Sequence, residues 1–355
     1  MPLSYEPLNV NTDVTTTKTL LHEVIPLTGS IVSGTYSDEN IKNFTHGMFQ
    51  SVYDYPFLSS SANHIFDLTC GYDESSPLSA STATINNKKI NIYNQFSQVL
   101  LGYTGSTNTV RLFESDLRLD TTGSMKEVFV VSMSRLLTKD QIKQGTVNLQ
   151  LGRGAWANPH LTTISLQDTA ASSTGDGTTN TIGGDYGVLF DSTASLATET
   201  PSSSHGVVFY QSGIAVISSS VFSGIADFNS GSAVSSSTPD ALTFDQSLVS
   251  ASISGTCDAV RHRLTNLTFN NSTEINSTIY FCRMPVNKYN YSSNPTYTSG
   301  SKIRVKNNAS DNPVAYVTTV GLYNARNELL ATAKLSEPLK KTPQNELTIR
   351  VRLDY

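Results

Sequence analysis

The chain has 355 residues, of which 38% are hydrophobic and 15% charged, with a formal net charge of −5. Soluble domains usually carry about 25% charged residues, so Ser, Thr and Asn replace Lys and Glu on this surface, which favours turns and strands over helices. No run approaches the roughly 18 apolar residues of a membrane span, and no Lys or Arg occurs from Gly154 to Val260, a stretch with no means of neutralising phosphates. That excludes a transmembrane helix and argues against nucleic-acid binding.

The charge is unevenly placed. Nine acidic residues fall in the cation-free stretch: Asp168, Asp176, Asp185, Asp191, Glu199, Asp227, Asp240, Asp245 and Asp258. Desolvating Ser or Thr costs less than desolvating an ion, so a surface of this composition suits burial against other subunits. The N-terminus "MPLSYEPLNVNTDVTTTKTLL" has no basic n-region and no apolar h-region, and is read as lacking a secretory signal.

Taken in chain order, the first thirty-five residues look extended. Ile90, Tyr93, Phe96 and Leu100 then recur at helical spacing, and Gly102 marks the stop. "KEVFVVSMSRLL" reads as a buried strand. "TKDQIKQG" predicts a short helix, with a capping-box spacing between Thr138 and Gln141 and Gly145 closing it. "TVNLQLG" alternates as another strand.

From Asp168 to Thr256, Ser, Thr and Gly make 42 of 89 residues. Within this texture "YGVLFDS", "HGVVFYQSGIAVI" and "DALTFDQSLVSASIS" are expected as strands. The second of these is a hairpin about Gln211–Gly213. Ala170–Gly184 and Ala226–Ser237 are expected to be mobile loops.

Beyond Cys257, "LTNLTFNNSTEINSTIYFCRMP" is expected to give two strands about "NNSTEINS". "VAYVTTVGLY" and "ELLATAKL" flank Asn324–Asn327, where Asn327 can take the left-handed conformation. In the last strand Leu347, Ile349, Val351, Leu353 and Tyr355 share one face. The tail therefore predicts a three-stranded antiparallel meander. The whole chain is expected to be mainly β, with antiparallel sandwich-like sheets and one or two short helices in the N-terminal half. Its expected divisions are 1–167, 168–256 and 257–355.

Chemistry is weakly signalled. The six histidines His22, His46, His64, His160, His205 and His262 show no i, i+4 metal pair. "SSSHG" lacks the G-x-S-x-G elbow, and "TGDGTTNTIGGDYG" lacks the lysine of a phosphate-binding loop. Asp176, Asn180 and Asp185 lack EF-hand spacing. Trp156 is expected to fill a core edge. Cys70, Cys257 and Cys282 form no CxxC pair and are expected as free buried thiols. No catalytic residue, cofactor or metal is expected.

The segment "YVTTVGLYNARNELLATAKL", with a short basic stretch and a terminal alternating strand, resembles a module of bacteriophage tail and baseplate proteins, including the bases of tail fibres. Its residues here are Tyr316, Val320, Gly321, Leu322, Tyr323, Asn324, Leu329, Leu330, Ala331, Lys334, Leu335, Arg350, Arg352 and Tyr355. "KYNYSSNPTYTSGSKI", "HGVVFYQSGIAVI" and "MSRLLTKDQIKQG" look like structural proteins of contractile-tailed phages, especially those of cyanobacteria and other marine bacteria. The resemblance implies a non-enzymatic virion protein made in the host cytoplasm, whose partners are copies of itself and other tail proteins, with no nucleic acid and no membrane. Fibre proteins carry the module near their N-terminus, whereas here it is C-terminal, which favours a baseplate or adaptor component. A head–tail connector or capsid decoration protein shares the same features. A receptor-recognition protein, binding or depolymerising a host-surface glycan through Tyr289, Tyr291 and Tyr297, is the third alternative.

Overall fold

A computed structural model describes residues 5–26, 38–80, 84–104, 109–117, 123–169, 181–192, 204–225, 227–228, 243–290, 298–299, 302–303 and 313–355. Of the two segments expected to be mobile, all but residues 181–184 and 227–228 lie outside the described residues.

In chain order the elements begin with α1 (Val10–Asp13), β1 (Val14–Pro26), β2 (Ile41–Asn43), β3 (Gln50–Tyr53), β4 (His64–Tyr72) and α2 (Thr84–Leu100). Next come β5 (Phe113–Glu114), β6 (Ser124–Met125), β7 (Glu127–Met133), α3 (Arg135–Thr138), β8 (Gln141–Ile142), β9 (Asn148–Gly152) and β10 (Thr163–Gln167). Then follow β11 (Tyr186–Asp191), β12 (Ser204–Phe209), β13 (Ile214–Ser218), α4 (Phe244–Ser250) and α5 (Ile253–Arg263). The remainder is β14 (Leu264–Met284), β15 (Thr298–Ser299), β16 (Lys302–Ile303), β17 (Ala315–Tyr323), β18 (Leu329–Lys341) and β19 (Leu347–Asp354). The chain is mainly β with antiparallel pairing, in the sandwich-like class.

Two compact units divide it: residues 21–273, and the two chain ends, 1–20 with 274–355. The expected boundaries at 167/168 and 256/257 both fall inside the first of these. The reason is pairing. Leu166 on β10 lies opposite Asp191 on β11, and α5 runs unbroken through residue 256.

The larger unit is built on one antiparallel sheet, in the order β14–β9–β10–β11–β12–β13–β7–β4–β3–β2. Its central strands are buried on both faces. Phe129, Val131 and Met133 of β7 join one apolar cluster, and Val128 and Val130 of the same strand join the other. Period-2 geometry sends alternate residues to opposite sides, so a continuous apolar run such as "VFVV" requires cover on both. One cluster is completed by Phe222, Phe228 and Phe244, whose rings meet at 4.9–5.8 Å, together with Leu248, Ile253 and Cys257. The other takes Tyr93 and Leu100 of α2 and Phe113 of β5.

Several expectations hold here. The strands β7, β9 and β11 and the hairpin β12–β13 lie where the β-branched runs placed them, and Gly213 takes φ +69° in the hairpin turn. Trp156 is buried, beside His262 at 4.4 Å.

Others are corrected. Helix α2 spans 17 residues. The short helix expected at "TKDQIKQG" is α3, three residues earlier; Thr138 ends it, and Gln141–Ile142 pair with β14 at Asn271 and Ser272. "DALTFDQSLVSASIS" forms α4 and opens α5 instead of a strand. Thr243 and Gln246 make a reciprocal capping box, Ser252 caps α5 through the Gly255 N–H, and Phe244, Ser247 and Leu248 bury one helical face.

The smaller unit holds α1, the start of β1, the second half of β14, and β15 to β19. β14 is one strand of 21 residues, not two about "NNSTEINS". Asn276 exchanges both backbone hydrogen bonds with Tyr355, and β19 then pairs residue by residue from Ser277↔Asp354 to Met284↔Leu347. The tail is therefore not a three-stranded meander: β17 and β18 pair with each other, while β19 pairs with β14. Ile349 and Val351 of β19 are buried with Met284 and Leu322, against which Val317, Val320, Ala331, Ala333 and Leu335 pack. Tyr355, expected on that buried face, is 73% exposed.

Candidate functional site

The β17–β18 ribbon carries most of the residues singled out in the tail. Its turn is set by local chemistry. The Asn324 side-chain oxygen accepts the backbone N–H of Arg326 and of Glu328, each at 2.9 Å, and Asn327 takes φ +62°. Asparagine tolerates that region better than other side-chain-bearing residues. The register slips between Val317 and Thr319, opposite the stretch of β18 that contains Pro338, a residue that donates nothing to a ladder.

The ribbon's two faces differ. Val320, Leu322, Ala331 and Leu335 point to the small core. Tyr316 (63% exposed), Tyr323, Leu329, Leu330 (68%) and Leu339 are exposed, as is Lys334. Gly321 serves a close approach. A Cβ there would stand 2.9 Å from the Tyr323 ring and 3.3 Å from Leu329, so a side chain would displace the aromatic. Tyr323 also meets Tyr5 edge-on, with centroids 4.9 Å apart.

Within the same unit Arg350 is exposed on β19, and the Arg352 guanidinium bonds the Asp354 carboxylate at 2.7 Å and the Ser277 hydroxyl at 2.9 Å. The Ser277 hydroxyl also donates to the Asp354 carboxylate at 2.6 Å, and this bond first, then that from Arg352, holds the Asp354 carboxyl below its ordinary range. Lys341 is fully buried, its ammonium bonded to Asn290 Oδ1 and the Thr342 carbonyl, both at 2.9 Å. Of the proposed recognition loop only Tyr289 is described. It is exposed, with φ +58°, while Tyr291 and Tyr297 lie outside the described residues.

The larger unit contains two polar clusters that sequence reading missed. His262 Nε2 lies 3.2 Å from the Trp156 carbonyl, and His160 Nδ1 lies 3.2 Å from the Thr265 hydroxyl. Burial, with the Arg263 cation close by, depresses both imidazoles. Arg263 is itself fully buried, and burial lowers its guanidinium to about 10. Its two terminal nitrogens reach the carbonyls of Gly152, Gly154, Asp227 and Phe228 at 2.7–3.4 Å. This is a cation used to gather loop carbonyls. His262 and Arg263 end α5 and His160 sits on the 3₁₀ turn Pro159–Leu161, far from them in sequence, and only the basic run "RHR" hinted at the cluster.

The second cluster centres on Asp258 of α5. Its carboxylate accepts from Gln50 Nε2 at 2.7 Å and from Arg261 at 3.3 Å. All three side chains are buried, so the network ties α5 to β3 through charge-assisted hydrogen bonds. Both clusters bond to their own helices and loops, while Gln50 Oε1, His160 Nε2, Arg261 Nε and Arg263 Nε are buried without a hydrogen-bond partner among the described residues.

Among the described residues no group of three or more His, Cys, Asp or Glu side chains is arranged to hold a metal ion, and no helix is long and apolar enough to cross a membrane. Comparison with protein-family models, with curated proteins and with solved structures returns no match.

Proposed function

We propose that the chain is a structural subunit of a tailed-phage particle, a baseplate or tail-adaptor component that acts by packing into a symmetric assembly. The observation that carries the reading is the outer face of the β17–β18 ribbon. It displays Tyr316, Tyr323, Leu329 and Leu330 to solvent on strands that, among the described residues, pair with each other alone. Exposed aromatic and aliphatic side chains on an unpartnered ribbon are what a subunit contact buries. These same residues carry the resemblance to tail-protein modules, and the low charge of the whole surface keeps the desolvation cost of assembly small.

The reading is tested in two steps. Sedimentation of the purified chain is expected to show concentration-dependent association, weakened by Tyr316→Asp and by Leu330→Asp with unchanged circular dichroism. Mass spectrometry of purified phage particles is expected to find the chain in multiples of three or six copies. Its absence from the particles would end the proposal.

A further inference from the structure

Strand β4 and helix α5 bring together two cysteines that lie far apart in the sequence. Cys70 and Cys257 are both buried in the same apolar cluster. The Cys257 thiol points at β4, with Sγ 3.4 Å from the Leu68 carbonyl. Leu68 and Cys70 are two residues apart on one strand and share a face. Both thiols therefore lie at the contact of β4 with α5, within one apolar cluster.

A third group completes the arrangement. Lys89 of α2 is fully buried, with its ammonium on the carbonyls of Leu248 and, at 2.8 Å, Ala251, at the end of α4. It is delivered there by close packing of α2 on β4. At Gly71, beside Cys70, a Cβ would come within 2.6 Å of the Lys89 carbonyl oxygen. Both bonded partners of this cation are neutral carbonyls. The charges bear the asymmetry out. The Cys257 hydrogen bond and the Lys89 cation draw the Cys70 thiol downward, while burial pushes Cys257 well up and Lys89 down.

We propose that Cys70 and Cys257 are an oxidisable pair that closes to a disulfide across the β4–α5 contact when the folded chain meets a small two-electron oxidant. With an azo oxidant such as diamide, the Cys70 thiolate adds to one nitrogen of the N=N bond and the other nitrogen takes a proton. The Cys257 sulfur then attacks the Cys70 sulfur, the S–N bond breaks, and the departing nitrogen takes the proton that Cys257 gives up. Two thiols become one disulfide, and the azo group becomes a hydrazine. The product pins α5 to the sheet. Because the pair lies within the larger unit, the inference is independent of the assembly reading.

The test uses the full-length protein in its native state. It is treated with diamide, quenched in acid, denatured, alkylated and digested with chymotrypsin, since trypsin would leave Cys257 on one long peptide running from Gly154 to Arg261. The expected result is a peptide linked through Cys70 and Cys257 that disappears on reduction, with Cys282 alkylated. The oxidised protein should also unfold at a higher urea midpoint than the reduced one, because the link closes a long loop in the unfolded chain. In Cys257→Ser, no linked peptide containing Cys70 should form within the chain. Recovery of both wild-type thiols in alkylated form, or linkage only in protein unfolded before oxidation, would overturn the proposal. So would linkage only between chains.

Discussion

The hydroxyl of Tyr210 donates to the buried carboxylate of Asp168 at 2.8 Å, and the same carboxylate accepts the backbone N–H groups of Gly145 and Val147 at 2.9 and 2.8 Å. One acid thereby holds the turn before β9 to the end of the β12 strand. Burial still dominates, raising the Asp168 carboxyl above its ordinary 3.8 despite those three donors. A raised carboxyl favours the protonated folded state, so this group costs stability as pH rises from the unfolded value through the folded one. Tyr210→Phe removes a donor to the charged form and is expected to cost about 1–3 kcal/mol at neutral pH, and less near pH 4. Urea melts at both pH values check it, and an equal loss at both would mean that the bond does not distinguish the two forms of the acid. Gly187→Ala is expected to act the same way, because a Cβ there would overlap the Tyr210 hydroxyl at 1.9 Å.

A second pH effect has the opposite sign. His160 and His262 are held below the ordinary 6.5, chiefly by burial. The unfolded chain binds their protons first, so stability is full above about pH 6.5 and falls as pH drops through that value towards the folded ones. His262→Gln keeps a donor for the Trp156 carbonyl and is expected to flatten the slope between about pH 6.5 and 5. Thermal midpoints across that range test it, and an unchanged slope would assign the acid sensitivity to other groups.

Arg263 should be the least replaceable side chain of the larger unit. Its planar fork serves four carbonyls from two loops and lies over the Phe228 ring at 5.1 Å. Lysine keeps the charge but not the fork. Hydrogen bonds to a charged donor are worth about 1.5–3 kcal/mol each, so Arg263→Lys is expected to destabilise by more than about 2 kcal/mol. Its urea midpoint measures the loss. A midpoint within error of wild type would show that the carbonyls find water instead.

Which of these features the sequence displayed depended on the range of the interaction. The strands β7, β9 and β11 and the β12–β13 hairpin were legible because their β-branched runs and turn glycine act locally. Helices α4 and α5 were hidden by Ser-rich composition, although the Thr243-x-x-Gln246 cap and the spacing of Ile253, Cys257 and Val260 were present to be read. The single strand β14 was not readable from its own residues. Asn271 and Ser272 stay extended because Gln141 and Ile142 pair with them, and Asn276 because Tyr355 does. The meeting of Cys70 with Cys257 is likewise a product of topology.

The last strand gives the remaining test. Along β19, Ile349 and Val351 are buried, Leu347 and Leu353 half-buried, and Tyr355 exposed. Burying an aliphatic side chain fully is worth about 1.5–3 kcal/mol, so Ile349 and Val351 together account for about 3–6 kcal/mol, before the eight-residue ladder to β14 is added. Domains are stable by only about 5–15 kcal/mol. Deleting the last nine residues is therefore expected to leave the smaller unit unfolded and the protein insoluble. Tyr355→Ser, which loses the contact of its hydroxyl with Thr278 Oγ1 at 3.1 Å but no buried apolar surface, should stay within about 0.5 kcal/mol of wild type. Soluble yield and urea midpoint separate the two variants. A soluble, cooperatively folding truncation would show that β14 holds its conformation without β19, and that the terminal strand is an appendage.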